Sequence, residues 1–118
     1  MNNTYSIEET DLASRASAAA LRNEVEDVLR SGHVVLDFKS VLSVSESYAD
    51  EFFGVLIEHY SIAWVFSRLQ VVGTSPEVVR TIRKAIRYRL ELAERRRSRD
   101  VVLCEVKDAV RQHVAAFA

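Results

Sequence analysis

The segment His33–Phe38 (HVVLDF) constrains the fold more than any other stretch of the chain. It is rich in β-branched and aromatic residues and is preceded by Ser31-Gly32, so it reads as a strand. Val34, Leu36 and Phe38 alternate with Val35, which puts apolar side chains on both faces, the mark of a central strand covered on both sides or nearly so. Helical periodicity flanks it. Before it, Leu21, Val25, Val28 and Leu29 recur at the 3.6-residue period, Ser14 offers an N-cap, and Gly32 suits a left-handed C-terminal position. After it come the polar loop Lys39–Glu46 and a helix with a broad apolar face of Phe52, Phe53, Leu56, Ile57 and Tyr60. Ser47, followed by Asp50 and Glu51, reads as the start of that helix.

The same alternation runs through the rest of the chain. Thr4–Ile7 reads as a short opening strand with Tyr5 and Ile7 on one face. Ser61–Arg68 fits a short helical turn and coil equally well. Leu69–Val72 is a further strand, ended by Gly73-Thr74. Ser75-Pro76-Glu77 then gives a capping serine, a proline at the first helical position and an acid, and Val79, Ile82, Ile86, Leu90 and Ala93 form the buried stripe of the helix that follows. The last stretch supports two readings. Val101–Val106 is a strand followed by a helix through Val110, Val114 and Phe117, or else one helix runs from about Asp100 through Leu103, Val106, Val110, His113 and Phe117. With the strand reading the order is β-α-β-α-β-α-β-α, which implies an α/β domain with helices packed on a sheet.

At 118 residues, with 48% hydrophobic and 28% charged residues, the chain has the size and balance of a single globular domain, residues 1–118. Three glycines and one proline argue against a linker or loop-rich scaffold. The one cysteine, Cys104, cannot form an intramolecular bridge. No apolar run approaches a membrane span, and Met1-Asn2-Asn3-Thr4 carries no basic-then-apolar leader, so the expectation is a cytoplasmic, bacterial-type protein. Charge is unevenly placed: residues 76–99 hold nine Arg or Lys against three Glu, while the rest of the chain is net acidic.

The segment Val34–Phe38 followed by Val41–Ile57 (VVLDF…VLSVSESYADEFFGVLI) resembles the central strand, loop and helix of STAS domains. It is most similar to the STAS-like family of bacterial proteins, with a strand ending in Asp-Phe and then Ser-x-x-Asp-Glu-Phe. Ser14-Arg15 with Ala18 and Leu21 resembles that family's first helix. Leu69–Arg80 (LQVVGTSPEVVR) is similar to the strand-turn-helix of anti-sigma factor antagonists, and Val101–Phe117 to their closing strand and helix, which tips Val101–Val106 towards strand. The resemblance implies a four- to five-stranded mixed sheet with helices mainly on one face. It also implies a non-catalytic regulatory module for protein–protein interaction, whose partner would be an ATPase-fold kinase or an anti-sigma-like protein. In the antagonist branch a serine at the start of the second helix is phosphorylated. Here that serine would be Ser47, with Ser45 as the alternative, although Ser45-Glu46-Ser47-Tyr48 departs from the antagonist pattern in having no following glycine.

Each candidate residue also has a plainer reading. A phosphate on Ser47 would be favoured by the helix N-terminus but opposed by Glu46, Asp50 and Glu51; the plainer role is an N-cap. Asp37, at a strand's C-terminal end, is placed to join Asp50 and Glu51 in a carboxylate site, or simply to cap the next loop through its own backbone. His33, His59 and His113 lie on separate elements, so no metal or nucleophile set and no cofactor site is expected, and Cys104 reads as a packing residue. Gly73-Thr74-Ser75-Pro76 lacks the spacing and the lysine of a phosphate loop. The basic patch of Arg80, Arg83, Lys84, Arg87, Arg95, Arg96, Arg97 and Arg99 supports an alternative function, a nucleic-acid-associated regulator, or else forms a solvated face or meets an acidic partner. An exposed edge strand or the apolar closing helix offers a homodimer surface that nothing in the sequence demands.

Overall fold

Three parallel strands carry the framework: β1 (Asn2–Ser6), β3 (His33–Asp37) and β5 (Leu69–Val72), in the order β1-β3-β5. The computed structural model describes residues 2–100, with side chains described from 3 to 96. The closing segment, including Val101–Val106, Cys104 and His113, and the side chains of Arg97 and Arg99 lie outside the described residues.

β3 is central, as its apolar character predicts: Val34 pairs with Asn3 on one side and Leu69 on the other, and Leu36 with Tyr5 and Val71. Val34, Leu36 and Phe38 are buried, whereas Val35 and Asp37 on the alternate face are partly open. Among the described residues, therefore, one face of this strand is packed and the other is not. Parallel neighbours cannot be joined by a hairpin, so each pair is linked through helix. Helix α1 (Arg15–Leu29) links β1 to β3, and a longer helical run links β3 to β5.

That run begins as α2 (Glu46–Ala49), widens into a π-helical turn (Asp50–Gly54) and continues as α3 (Val55–His59). A further short helix, α4 (Ile62–Arg68), is capped by Ser61, whose Oγ accepts from the Trp64 N–H at 3.1 Å, which settles the ambiguous Ser61–Arg68 as helix. After β5, Gly73 takes a left-handed φ of 72°. An added Cβ there would lie 2.8 Å from the Lys39 backbone nitrogen, so only glycine makes this turn without strain. Helix α5 (Pro76–Asp100) then starts under the Ser75 cap. α1, the α2–π–α3 run and α5 pack side by side, the middle one touching both neighbours. Between them and the sheet lie Ala18, Val25, Leu29, Phe52, Phe53, Leu56, Val65 and Val78.

The expected single mixed sheet is corrected among the described residues. The five strands split into the three-stranded sheet and a two-stranded one, β2 (Asp11–Leu12) with β4 (Ser43–Val44), and every pair is parallel. β2 and β4 immediately precede α1 and α2, so this small ladder ties two helix starts together. Two-residue strands carry no periodicity that a sequence pattern could reveal. Gly32 is also corrected: Gly73 is the one glycine with positive φ among the described residues, and α1 ends at an Arg30 cap in right-handed conformation. In α5 the most buried valine is Val78, one position before the expected Val79.

Candidate functional site

The loop after β3 places the residues that matter most. Asp37 caps it, accepting from the Lys39 N–H at 3.0 Å, and its Oδ2 lies 3.9 Å from Lys39 Nζ. Asp37 thus makes the loop-capping contacts of its plainer reading, and its described partners are disjoint from those of Asp50 and Glu51. No group of three or more His, Cys, Asp or Glu among the described residues stands where it could hold a metal ion.

Ser45, not Ser47, caps α2. Its Oγ accepts from the Tyr48 N–H at 3.0 Å and donates to the Ala13 carbonyl at 2.9 Å, while its own N–H bonds Leu12 O. Both hydrogen-bonding roles of this hydroxyl are used, and they bind the start of α2 to the start of α1. Ser47 is thereby released from the capping role the sequence assigned to it. It is exposed, makes no side-chain hydrogen bond to a described residue, and lines a hollow of about 250 Å³ with Arg15, Glu46, Asp50, Lys84, Ala85 and Tyr88.

The acids around Ser47 are not a bare negative cluster. Asp50 receives two hydrogen bonds from Arg89, Nε to Oδ1 at 2.6 Å and Nη2 to Oδ2 at 2.8 Å, and a third from Arg15 Nη1 at 3.0 Å. The Arg89 guanidinium holds the Asp50 carboxyl below the usual carboxylate value, against the opposing effect of burial, with Arg15 adding to it. Arg89 is in turn raised by Asp50. Glu51, one residue on, faces the other neighbour: Arg22 of α1 donates to its carboxylate and, at 2.6 Å, to its carbonyl. Glu46 pairs with Lys84 at 2.6 Å. Consecutive acids in the π-turn thus tether the middle helix to α5 on one side and α1 on the other.

The network extends along both seams. Arg89 also donates to Glu58, which Arg96 holds at 2.7 Å. On the α1 side, buried Glu26 accepts from the Tyr60 hydroxyl at 3.1 Å and lies 3.3 Å from Arg22 Nε. Gly54 makes room for this: an added Cβ would sit 2.7 Å from Arg89 Cγ and 2.9 Å from Asp50 Oδ1. Arg22, Glu26 and Arg89 are residues that the sequence reading did not single out. Their spacing carried the signal. Arg22 falls four after Ala18 and three before Val25, and Arg89 seven after Ile82 and four after Ala85, so both sit on inward-facing stripes.

The basic patch divides accordingly. Of its members, Arg96 is committed to Glu58 of the middle helix and Lys84 to Glu46, whereas Arg80, Arg83 and Arg87 are exposed and pair with no acid among the described residues. Arg95 is also exposed.

A row of helices laid on a small parallel sheet, with the Ser45 cap tying two helix starts together, makes an α/β domain. A family model described as STAS-like domain of unknown function (DUF4325) matches residues 17–79, more than half of the chain, and the chain belongs to that family. No curated protein and no solved structure matches the chain significantly. Among the described residues no helix is long and apolar enough to cross a membrane.

Proposed function

We propose that this domain is a non-catalytic regulatory module that binds a protein partner through the start of α2 and is switched by phosphorylation of Ser47. One observation carries the reading: Ser45 is fully used as a structural cap, while Ser47, two residues on, presents an exposed hydroxyl beside Arg15 and Lys84. A phosphate brings about −1.5 to −2 charges and three strong acceptor oxygens. The Lys84–Glu46 pair is 70% exposed on each side, and such pairs contribute little, so Lys84 can turn to a phosphate at small cost. Arg15 is itself 53% exposed and reaches in to Asp50, which is 14% exposed. Asp50 keeps Arg89 when Arg15 turns away. Phosphorylation would thus redraw the charges on the α1–α2–α5 surface without unlocking the helix row. The STAS-like resemblance makes an ATPase-fold kinase or an anti-sigma-like protein the partner to try first, in a cytoplasmic setting.

Phosphosite mapping by mass spectrometry, on protein recovered from its native cells, tests the reading. Phosphate on Ser47 and not on Ser45 is expected. Phosphate confined to other residues, or none under any growth condition, would overturn the switch.

A second reading, a nucleic-acid-associated regulator, is favoured by the exposed stripe of Arg80, Arg83 and Arg87, which pairs with no acid among the described residues. It requires binding that weakens steeply with salt and is lost in Arg83→Glu/Arg87→Glu. Salt-insensitive retention of the same partner excludes it.

A further inference from the structure

A second surface is lined from α2 by Tyr48, the residue after Ser47. A groove of about 530 Å³ runs between β1 with its continuation and the start of α1, lined by Tyr5, Glu8, Glu9, Leu12, Leu21 and Tyr48 among others. That volume is in the range of about 300–1,000 Å³ typical of ligand sites. It shares no lining residue with the hollow at Ser47.

Three independent features converge on the groove. Its rim is acidic: Glu8 and Glu9 are exposed and make no ion pair with a described residue, while Asp11 is occupied by the Ser43 hydroxyl at 2.5 Å. Tyr48 lines it although only 3% exposed, and its hydroxyl has no hydrogen-bond partner among the described residues. The ring is buried while the hydroxyl keeps its solvent contact on the groove, where a ligand group can take the place of water. Glu9 lines the same groove as Tyr48. Lastly, β1 is the edge of the three-stranded sheet among the described residues, so one side of its backbone offers N–H and C=O groups to an added strand.

The geometry points to this groove as a docking site for an extended, lysine- or arginine-bearing segment of a protein partner. The segment's backbone lies along β1, its methylene stems run over Leu12 and Leu21, and its charged heads meet Glu8, Glu9 and the Tyr48 hydroxyl. The stem packs against apolar surface while the head stays at the acidic rim, as long cationic side chains do. Docking here needs no phosphate and stands whether or not Ser47 is a switch.

The test is an NMR titration of the isotopically labelled chain with a capped hexapeptide of alternating lysine and valine. The same-length glutamate–valine peptide and n-butylamine serve as controls. Saturable binding of the basic peptide is expected, with amide shifts confined to residues 2–21 and Tyr48. Glu8→Gln/Glu9→Gln should weaken it at least tenfold and Tyr48→Phe at least threefold, each with an otherwise unchanged spectrum. Ser47→Asp should leave it within twofold. No saturable binding, shifts centred on Glu46 or Glu58, or undiminished affinity in the double glutamine variant would overturn the site. Equal affinity for n-butylamine would overturn the extended peptide in favour of a small cation, and loss on Ser47→Asp would overturn the independence of the two surfaces.

Discussion

Replacing Gly54 by alanine sets two calculable effects against each other. Gly54 is buried inside a continuous helical run, where alanine is favoured over glycine by about 1 kcal/mol. On propensity alone Gly54→Ala stabilises. The packing says otherwise, because the new methyl would stand 2.7 Å from Arg89 Cγ and 2.9 Å from Asp50 Oδ1. Neither atom is the free end of a flexible chain. Cγ lies midway along an arginine stem, and Oδ1 accepts the Arg89 Nε hydrogen bond. Arg89 must therefore leave its forked pairing with Asp50. Their side chains are 17% and 14% exposed, and breaking a buried pair costs roughly 3–5 kcal/mol. Because Arg15 remains on Asp50, the lower end applies, and the net effect is a destabilisation of about 2 kcal/mol. Urea denaturation of the parent, Gly54→Ala, Arg89→Ala and the double variant measures it. In the Arg89→Ala background the Cγ obstruction is gone and Asp50 Oδ1, no longer held by Arg89 Nε, can swing aside, so Gly54→Ala should reverse sign and stabilise by about 0.5–1 kcal/mol. A neutral or stabilising Gly54→Ala in the parent chain would refute the reasoning, since Arg89 could not then be threading past residue 54.

Other outcomes follow from the same contacts. Ser45→Ala should cost about 1–2 kcal/mol through the lost cap and the lost tie to Ala13, whereas Ser47→Ala should stay within about 0.5 kcal/mol by the same denaturation assay. Asp50's carboxyl is depressed below its ordinary 3.8, chiefly by Arg89. Its contribution is therefore complete above about pH 4 and lost as pH falls through the folded-state value, so stability below about pH 4 should fall less steeply in Asp50→Asn than in the parent. Burial first, and Glu9 second, push the Tyr48 hydroxyl up to about 12. In an ultraviolet absorbance titration one of the four tyrosines should titrate late; Tyr48→Phe should abolish that phase and Glu9→Gln move it earlier. The associated stability is present below about pH 10 and lost as pH rises towards the folded-state value.

How much of this was legible in the sequence differs by the range of the signal. Ser14 and Ser75 cap their helices as read, and β3 and β5 fall where β-branched runs placed them, because caps and strands of that kind are set by near neighbours. Ser45 and Ser47 compete for one cap two residues apart. The choice turned on Ala13, 32 positions away, whose carbonyl takes the Ser45 hydroxyl. Asp50 and Glu51 were recognised as acids at a helix start, but their partners Arg89 and Arg22 lie 39 and 29 positions off. Only the inward phase of those arginines hinted at pairing. Tyr48 read as nothing in particular, since its depth exists only once the chain has folded around it. The π-turn has no composition of its own and was equally silent.

The central claim is that an exposed Ser47, not the capping Ser45, governs a protein contact. Affinity capture from the native cells with the parent chain, Ser47→Ala and Ser47→Asp, followed by quantitative mass spectrometry of bound proteins, tests it most directly. The account predicts a partner held equally by the parent and Ser47→Ala and lost from Ser47→Asp. A protein complement unchanged by Ser47→Asp, or nuclease-sensitive nucleic acid lost only from Arg83→Glu/Arg87→Glu, would contradict it.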